Sequence, residues 1–254
     1  MRVLLISDVH GNLEALQSVM ESAGDWDEII VLGDLADYGP DPGDVIDELR
    51  GAGARIIRGN HDHAVAYGVD CKCGVATHWL SVWFRENVTM KLLDRNDKKY
   101  LASLPERLEV DLGMLGRGVA FHGSPSSPLY GYLYPWLRDE EACSMLTRGL
   151  RLYKKPQCRL SHQLYLVGHT HHQFTRRVEG RLIVNPGSVG QPRDMDPRAA
   201  YVFIDTDNGS ICFRRVDYNR DKTIGKLESL GVSGPYLRAL KLLLTRGIIP
   251  SRPG

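Results

Sequence analysis

Eight residues with metal-binding side chains follow short apolar runs. Asp8 and His10 follow residues 3–6, Asp34 follows 29–32, and Asn60 and His61 follow 54–57. His122 follows 118–121, and His169 and His171 follow 164–167. Mixed carboxylate and imidazole donors suit first-row divalent ions such as manganese, iron, nickel, cobalt or zinc. Eight donors exceed what one four-coordinate zinc uses, and they suit two neighbouring ions of higher coordination number. Two cations that close need a shared anion, and Asp34 lies on the middle of the first three loops in chain order. Singly, each residue reads as an ordinary loop polar group. Their recurrence after successive apolar runs is what points to chemistry. Gly11, Gly33, Gly59, Gly123 and Gly168, beside the candidate ligands, permit tight turns there.

The intervening segments supply the elements that position these loops. Residues 3–6, 29–32 and 54–57 are short and rich in branched apolar side chains, as buried strands are. Between them, Leu13, Leu16, Val19, Met20 and Ala23 recur at helical period, as do Val45, Ile46 and Leu49. This βαβαβ order predicts parallel strands with right-handed crossovers, whose ligands gather at the strands' carboxyl ends. Residues of about 64–104 form an expected helical insertion carrying Trp79, Leu80, Trp83 and Phe84. Further strands are expected over 107–112, 118–121, 164–167, 174–178, 182–184, 200–204 and 211–216, with a helix over 139–150. The tail over 221–247 is amphipathic, with Leu237, Leu240, Leu243 and Leu244 on or near one face. That face fits either packing on the protein's own core or a dimer contact.

The chain of 254 residues, with a formal charge of +1, fits one α/β unit with embellishments. The near-neutral balance argues against a stable nucleic-acid partner. No apolar run approaches the roughly 20 residues of a membrane span, and the start lacks a signal-peptide pattern, so a cytoplasmic protein is expected. Cys71, Cys73, Cys143, Cys158 and Cys212 are odd in number and irregularly spaced, which does not read as a disulfide framework. Cys71 and Cys73 miss the usual zinc-ribbon spacing and read as structural thiols.

The blocks Asp8-Val9-His10, Gly33-Asp34, Gly59-Asn60-His61-Asp62, His122 and Gly168-His169-Thr170-His171 resemble those of the calcineurin-like metallophosphoesterases, in that family's order. The resemblance covers roughly residues 1–216 and is nearest to the compact bacterial and archaeal phosphodiesterase-like branch. It implies a four-layer α/β/β/α sandwich over 1–216, with the helical insertion at about 64–104 and a helical C-terminal extension over 217–254. It implies two divalent transition-metal ions, manganese foremost. Asp8, His10, Asp34 and His171 would hold one, and Asp34, Asn60, His122 and His169 the other. A hydroxide bridging the ions would attack a small phosphoester or nucleotide-like substrate. His61 would serve the leaving oxygen, with Asp37 orienting its ring. The alternatives are a Ser/Thr-type phosphoprotein phosphatase and a non-catalytic binding protein on the same fold. Tyr38 stands where the phosphatase branch carries an arginine, which favours the phosphodiesterase-like branch.

Substrate contacts are expected from Asn12, Arg58 and Arg193. Arg193 reads equally as an ion-pair partner of Asp194 or Asp196. The aromatic stretch 128–136 offers Tyr132 and Tyr134 either as a wall that stacks on a nucleobase or as packing against the insertion. Asp62 reads as a cap or turn residue, Ser188 as a turn residue ahead of a substrate contact, and His63, His78 and His172 as structural or surface residues.

Overall fold

Strand β1 (Arg2–Ile6) is continuously apolar because both of its faces are covered. The computed structural model describes residues 1–147, 158 and 160–251. Val3 and Leu5 point between two sheets, where they meet Leu166, Val184 and Val202. Leu4 and Ile6 point outward onto Leu16, Val19 and Val45. A strand with one wet face would alternate apolar with polar residues, and this one does not.

The first sheet has the order β10 (Ser210–Val216), β9 (Ala199–Asp205), β1, β2 (Glu28–Val31), β3 (Arg55–Ile56). Within it β1, β2 and β3 are parallel, and β9 runs antiparallel to both β1 and β10. The second sheet has the order β4 (Leu108–Asp111), β5 (Arg117–Phe121), β6 (Leu164–Val167), β8 (Arg181–Pro186), β7 (Gln173–Val178), with β5, β6 and β8 parallel. Helices α1 (Leu13–Ala23) and α2 (Pro42–Gly51) cover the outside of the first sheet. Helix α7 (Asp139–Leu146) covers the second, setting Ala142 and Leu146 against Phe121 and Tyr165. The layers are therefore α/β/β/α, as expected. The remainder of the expected helix over 139–150 lies outside the described residues.

The insertion is helical but divided. It begins with α3 (Asn60–Tyr67), which ends at Gly68 in a left-handed conformation. A loop carrying Cys71 and Cys73 leads to α4 (Val75–Phe84), which continues through a π-turn at Arg85–Thr89 into α5 (Met90–Leu92). Asp94 then caps α6 (Arg95–Ser103), accepting from Asn96 N and Asp97 N. The tail forms two helices, α8 (Arg220–Ser229) and α9 (Gly234–Arg246), separated at Gly231, whose φ is 82°. Leu240, Leu243 and Leu244 of α9 pack on Leu80, Phe84, Val88 and Tyr38. The leucine face is therefore covered within the chain, by the insertion.

One cysteine expectation is corrected. Cys143 at the end of α7 is disulfide-bonded to Cys158, leaving Cys71, Cys73 and Cys212 free. The fold brings the two sulfurs together across 15 residues, a pairing that spacing alone does not reveal. Among the described residues no helix is long and apolar enough to cross a membrane.

If the α9 contact is part of the cooperative unit, Leu240→Ala lowers the unfolding free energy by about 3 kcal/mol in a denaturant titration. A loss under about 0.5 kcal/mol, typical of surface substitutions, would show the tail to be an independent appendage.

Candidate metal centre

The loops after β1, β2 and β6 hold backbone conformations that non-glycine residues seldom adopt. Asp8, His10, Asp34, His169 and His171 have φ of 54°, 49°, 58°, 64° and 58°. Asp37 and Tyr38 join them at 70° and 64°. Among the described residues, seven of the ten non-glycine positions with positive φ thus belong to one place. Each costs about 1–2 kcal/mol, and such strain gathers at functional sites. Backbone bonds lock the first two loops side by side: Asp8 N donates to Gly33 O at 3.0 Å and His10 N to Asp34 O at 2.9 Å. Gly59 is required, because a Cβ there would lie 2.0 Å from Asp34 Oδ1.

The two central carboxylates are each satisfied on one oxygen only. Asp8 Oδ2 accepts from Ser7 Oγ at 2.5 Å and from His169 N at 3.1 Å. Asp34 Oδ1 accepts from His61 N at 2.9 Å, at the start of α3. Asp8 Oδ1 and Asp34 Oδ2 are buried without a hydrogen-bond donor. Asp8 Oδ1 lies 3.2 Å from His171 Nε2. Asp34 Oδ2 lies 3.8 Å from His10 Nε2 and 3.3 Å from His122 Nε2. Asp62 shapes this loop from beneath. Its carboxylate accepts from the backbone N–H groups of Asp34 (2.8 Å), Leu35 (2.8 Å), Ala36 (3.2 Å) and Gly59 (2.9 Å).

The imidazoles are oriented by their outer nitrogens. Nδ1 of His10 donates to Ala36 O at 3.0 Å, Nδ1 of His122 to Leu32 O at 2.7 Å, and Nδ1 of His171 to Gln191 O. In the neutral ring each bond turns the Nε2 lone pair inward, as metal-binding histidines require. Against burial, the Asp34 and Asp8 charges raise His122 to about 9, so its Nε2 must give up a proton to take an ion. Burial lowers His10 to about 3 and takes His169 and His171 well below the usual histidine range, so all three are neutral donors. Asn60 sets Oδ1 2.9 Å from His122 Nε2, while its Nδ2 donates to Cys71 O at 2.8 Å. His169 brings Nδ1 to 3.1 Å from the same His122 nitrogen. Two trios result, Asp8/His10/His171 and Asp34/His122/His169, each with donor atoms within 4.8 Å of one another. Buried carboxylate oxygens that no hydrogen bond satisfies, facing clustered imidazole nitrogens, fit divalent cations.

His61 and Asp37 form a buried pair, Nδ1 to Oδ2 at 2.8 Å. Burial disfavours the imidazolium, but Cys71, Asp34 and Asp37 outweigh it and raise His61 to about 9. The same Asp37 oxygen lies 3.4 Å from Nη1 of Arg85, which the π-turn delivers. Arg85 carries no motif spacing in the sequence. Its signal is only a charged residue inside an apolar helical stretch. Tyr38, buried beside this pair, sets its ring 5.1 Å from His10 and 5.2 Å from His61.

The expected substrate contacts fare differently. Arg58 directs its guanidinium to Ala102 O, Tyr67 Oη and Glu106, tying α3 to the end of α6. Asn12 caps α1 and donates to Gly190 O and Tyr218 Oη. Both are engaged within the fold, Arg58 in anchoring the insertion and Asn12 in capping α1. Arg193 pairs with neither Asp194 nor Asp196, which Arg215 and Arg198 hold. Its guanidinium binds Gln191 Oε1, and its charge reaches His10, His169 and His171. The aromatic stretch forms a ladder: Tyr132 stacks on Tyr134 at 5.6 Å and Tyr134 on Trp136 at 4.7 Å, while the Tyr132 ring lies 3.9 Å from His169. Each tyrosine thus has an aromatic neighbour on both sides, and the exposed outer rung is Trp136. His172 sets its ring edge on Tyr134 and Trp136, and His78 pairs with Asp70. Ser188 Oγ donates to Asp8 O at 2.7 Å within its turn.

Comparison with known proteins agrees with this geometry. Residues 1–209 match the model of the calcineurin-like phosphoesterase superfamily domain. A metallophosphoesterase from Sphaerobacter thermophilus superposes with a TM-score of 0.74 at 32% identity, over 98% of this chain and 99% of that one. A hypothetical protein from Pyrococcus horikoshii shares the fold, with a TM-score of 0.75 at 18% identity over 94% and 97% of the chains. An uncharacterised protein of Methanocaldococcus jannaschii is 29% identical over 89% of this chain and 91% of its own length.

The support role of Asp62 makes a direct prediction. Asp62→Asn turns an NH2 group toward backbone N–H donors and leaves buried groups unpaired. It should cost about 1–3 kcal/mol in thermal or denaturant unfolding and lower the metal content measured by atomic emission. Wild-type stability together with full metal content would remove Asp62 from this role.

Proposed function

Because the chain belongs to the calcineurin-like phosphoesterase superfamily, we propose that it is a phosphoester hydrolase with two divalent metal ions, acting as a phosphodiesterase on small or nucleotide-like substrates. Asp8, His10 and His171 would hold one ion, and Asn60, His122 and His169 the other, with Asp34 shared. The observation that carries this reading is the bare Asp34 Oδ2, set between His10 of one trio and His122 of the other. Manganese is the first candidate metal. When bound, such ions supply Lewis acidity toward a phosphoryl group and bring the pKa of water toward neutrality.

The chain's own residues supply the rest. With Nδ1 tied to Asp37, His61 keeps Nε2 for the leaving oxygen and delivers a proton there. Asp37 orients the ring and stabilises its cationic form. Arg193, fixed by Gln191 and acting on three of the candidate ligands, is placed to attract the phosphoryl charge. Tyr132 shields His169 from water, and the exposed Trp136 is the rung that a base or aryl group would meet.

The test is hydrolysis of bis-p-nitrophenyl phosphate with added Mn2+. Chelation should abolish the rate and re-addition of metal restore it. Asp34→Asn should remove nearly all activity and lower the metal content. His61→Ala should reduce kcat by about 10²–10⁴-fold, the range for losing a general acid, with metal content near that of wild type. Chelated protein that keeps its full rate would overturn the metal reading. Metal-loaded protein inert across diesters, monoesters and phosphopeptides would leave a binding role on this fold.

A further inference from the structure

The loop between α3 and α4 places two thiols against the His61 pair, and nothing in the proposed reaction uses them. Cys71 Sγ and Cys73 Sγ are 3.1 Å apart and both buried, Cys73 being the less enclosed at 8% exposure. They come this close because Lys72 between them adopts a φ of 49°, pinching the chain where an extended segment would hold the sulfurs apart. Around Cys71 lie Ser81 Oγ at 3.2 Å and the buried Arg85 guanidinium. Ser81 Oγ is in turn 3.5 Å from His61 Nδ1. The Cys71 carbonyl accepts from Asn60 Nδ2 at 2.8 Å, holding the amide whose Oδ1 faces His122. The two sulfurs and His61 could gather a soft cation, but the Arg85 charge beside Cys71 opposes one. A thiol flanked by a cation with a second thiol in contact is instead the layout of an oxidation site.

We propose that Cys71 and Cys73 are an oxidation site for a small peroxide, and that their disulfide slows the enzyme through Asn60 and His61. The effect on turnover rests on the phosphoesterase reading above; the oxidation site does not. Cys71 Sγ, the thiol beside Arg85, attacks one oxygen of hydrogen peroxide, the O–O bond breaks, and water leaves with a sulfenic acid formed on Cys71. Cys73 Sγ then attacks that sulfur, the S–O bond breaks, and a second water leaves. The two sulfurs give up two electrons, and one peroxide becomes two waters. Closure brings the sulfurs from 3.1 Å to about 2.0 Å. It removes the thiol beside Ser81 and Arg85 and draws on the carbonyl that orients Asn60. Disturbing support of this kind lowers activity about tenfold or more.

The experiment is a brief pulse of hydrogen peroxide on the metal-loaded protein, then blocking of free thiols with an alkylating reagent and peptide mass analysis. The stretch 59–85 should change from two alkyl groups to none, and a phosphine reductant should restore both. Turnover of the phosphodiester should fall about tenfold in step with that change and recover with it, while Cys73→Ser should keep its rate through the same pulse. Two alkyl groups retained on 59–85 after the pulse overturn the site whatever the activity does. A disulfide formed with turnover unchanged overturns its control of the enzyme. Should no phosphoester be hydrolysed at all, the reading of function fails while the mass result still decides the thiol site.

Discussion

Two aspartates are buried in one place, and each leaves one oxygen there without a donor. Burying an unpaired carboxylate oxygen costs several kcal/mol, so the surroundings must answer this demand for positive charge. Burial would raise Asp34, yet His122, His61 and His10 together hold it well below the ordinary carboxylate range. Burial would lower His122, yet Asp34 and Asp8 draw it up to about 9. Ser7, the His169 amide and the start of α3 hold the other oxygens still, which fixes the directions in which the bare ones point. The left-handed backbones, the close glycines and the tautomer-setting carbonyls all follow from keeping those directions.

Much of this was legible in the sequence because chemistry and topology coincide. Apolar runs such as 3–6 and 164–167 read as strands with both faces covered, and the polar residues after them fall at one edge. That each strand has a layer on both sides follows from the same runs, whereas the α/β/β/α order of the layers comes only with the resemblance to the calcineurin-like family. The divisions of the insertion and of the tail were not legible. They depend on Gly68 and Gly231 adopting left-handed conformations, which composition permits but does not require.

Residues that act through others were the least visible. Asp62 reads as a cap or turn residue in the sequence, and it does accept from the Gly59 amide at the start of α3. In the fold its carboxylate collects four amides from two loops, a role that exists only once β2 and α3 are adjacent. Arg85 reaches Asp37 across 48 positions of chain by way of a π-turn, and no periodicity marks such a turn. Arg58 and Asn12 show the converse: as polar residues beside a motif they look unengaged in sequence, and in the fold the anchoring of the insertion and helix capping engage them. The tyrosines after His122 likewise lie next to the site, but with an aromatic neighbour on either side of each ring.

The donors are divided between the two sheets. Asp8, His10, Asp34 and Asn60 follow strands of the first, whereas His122, His169 and His171 follow strands of the second. Neither half holds a complete trio, so a coordination sphere of the proposed kind would exist only once the sandwich has closed. Ions bound there would act as a rivet across the layers: every kcal/mol of affinity for the closed form would resist their separation, and the apoprotein would be the form more exposed to unfolding and proteolysis.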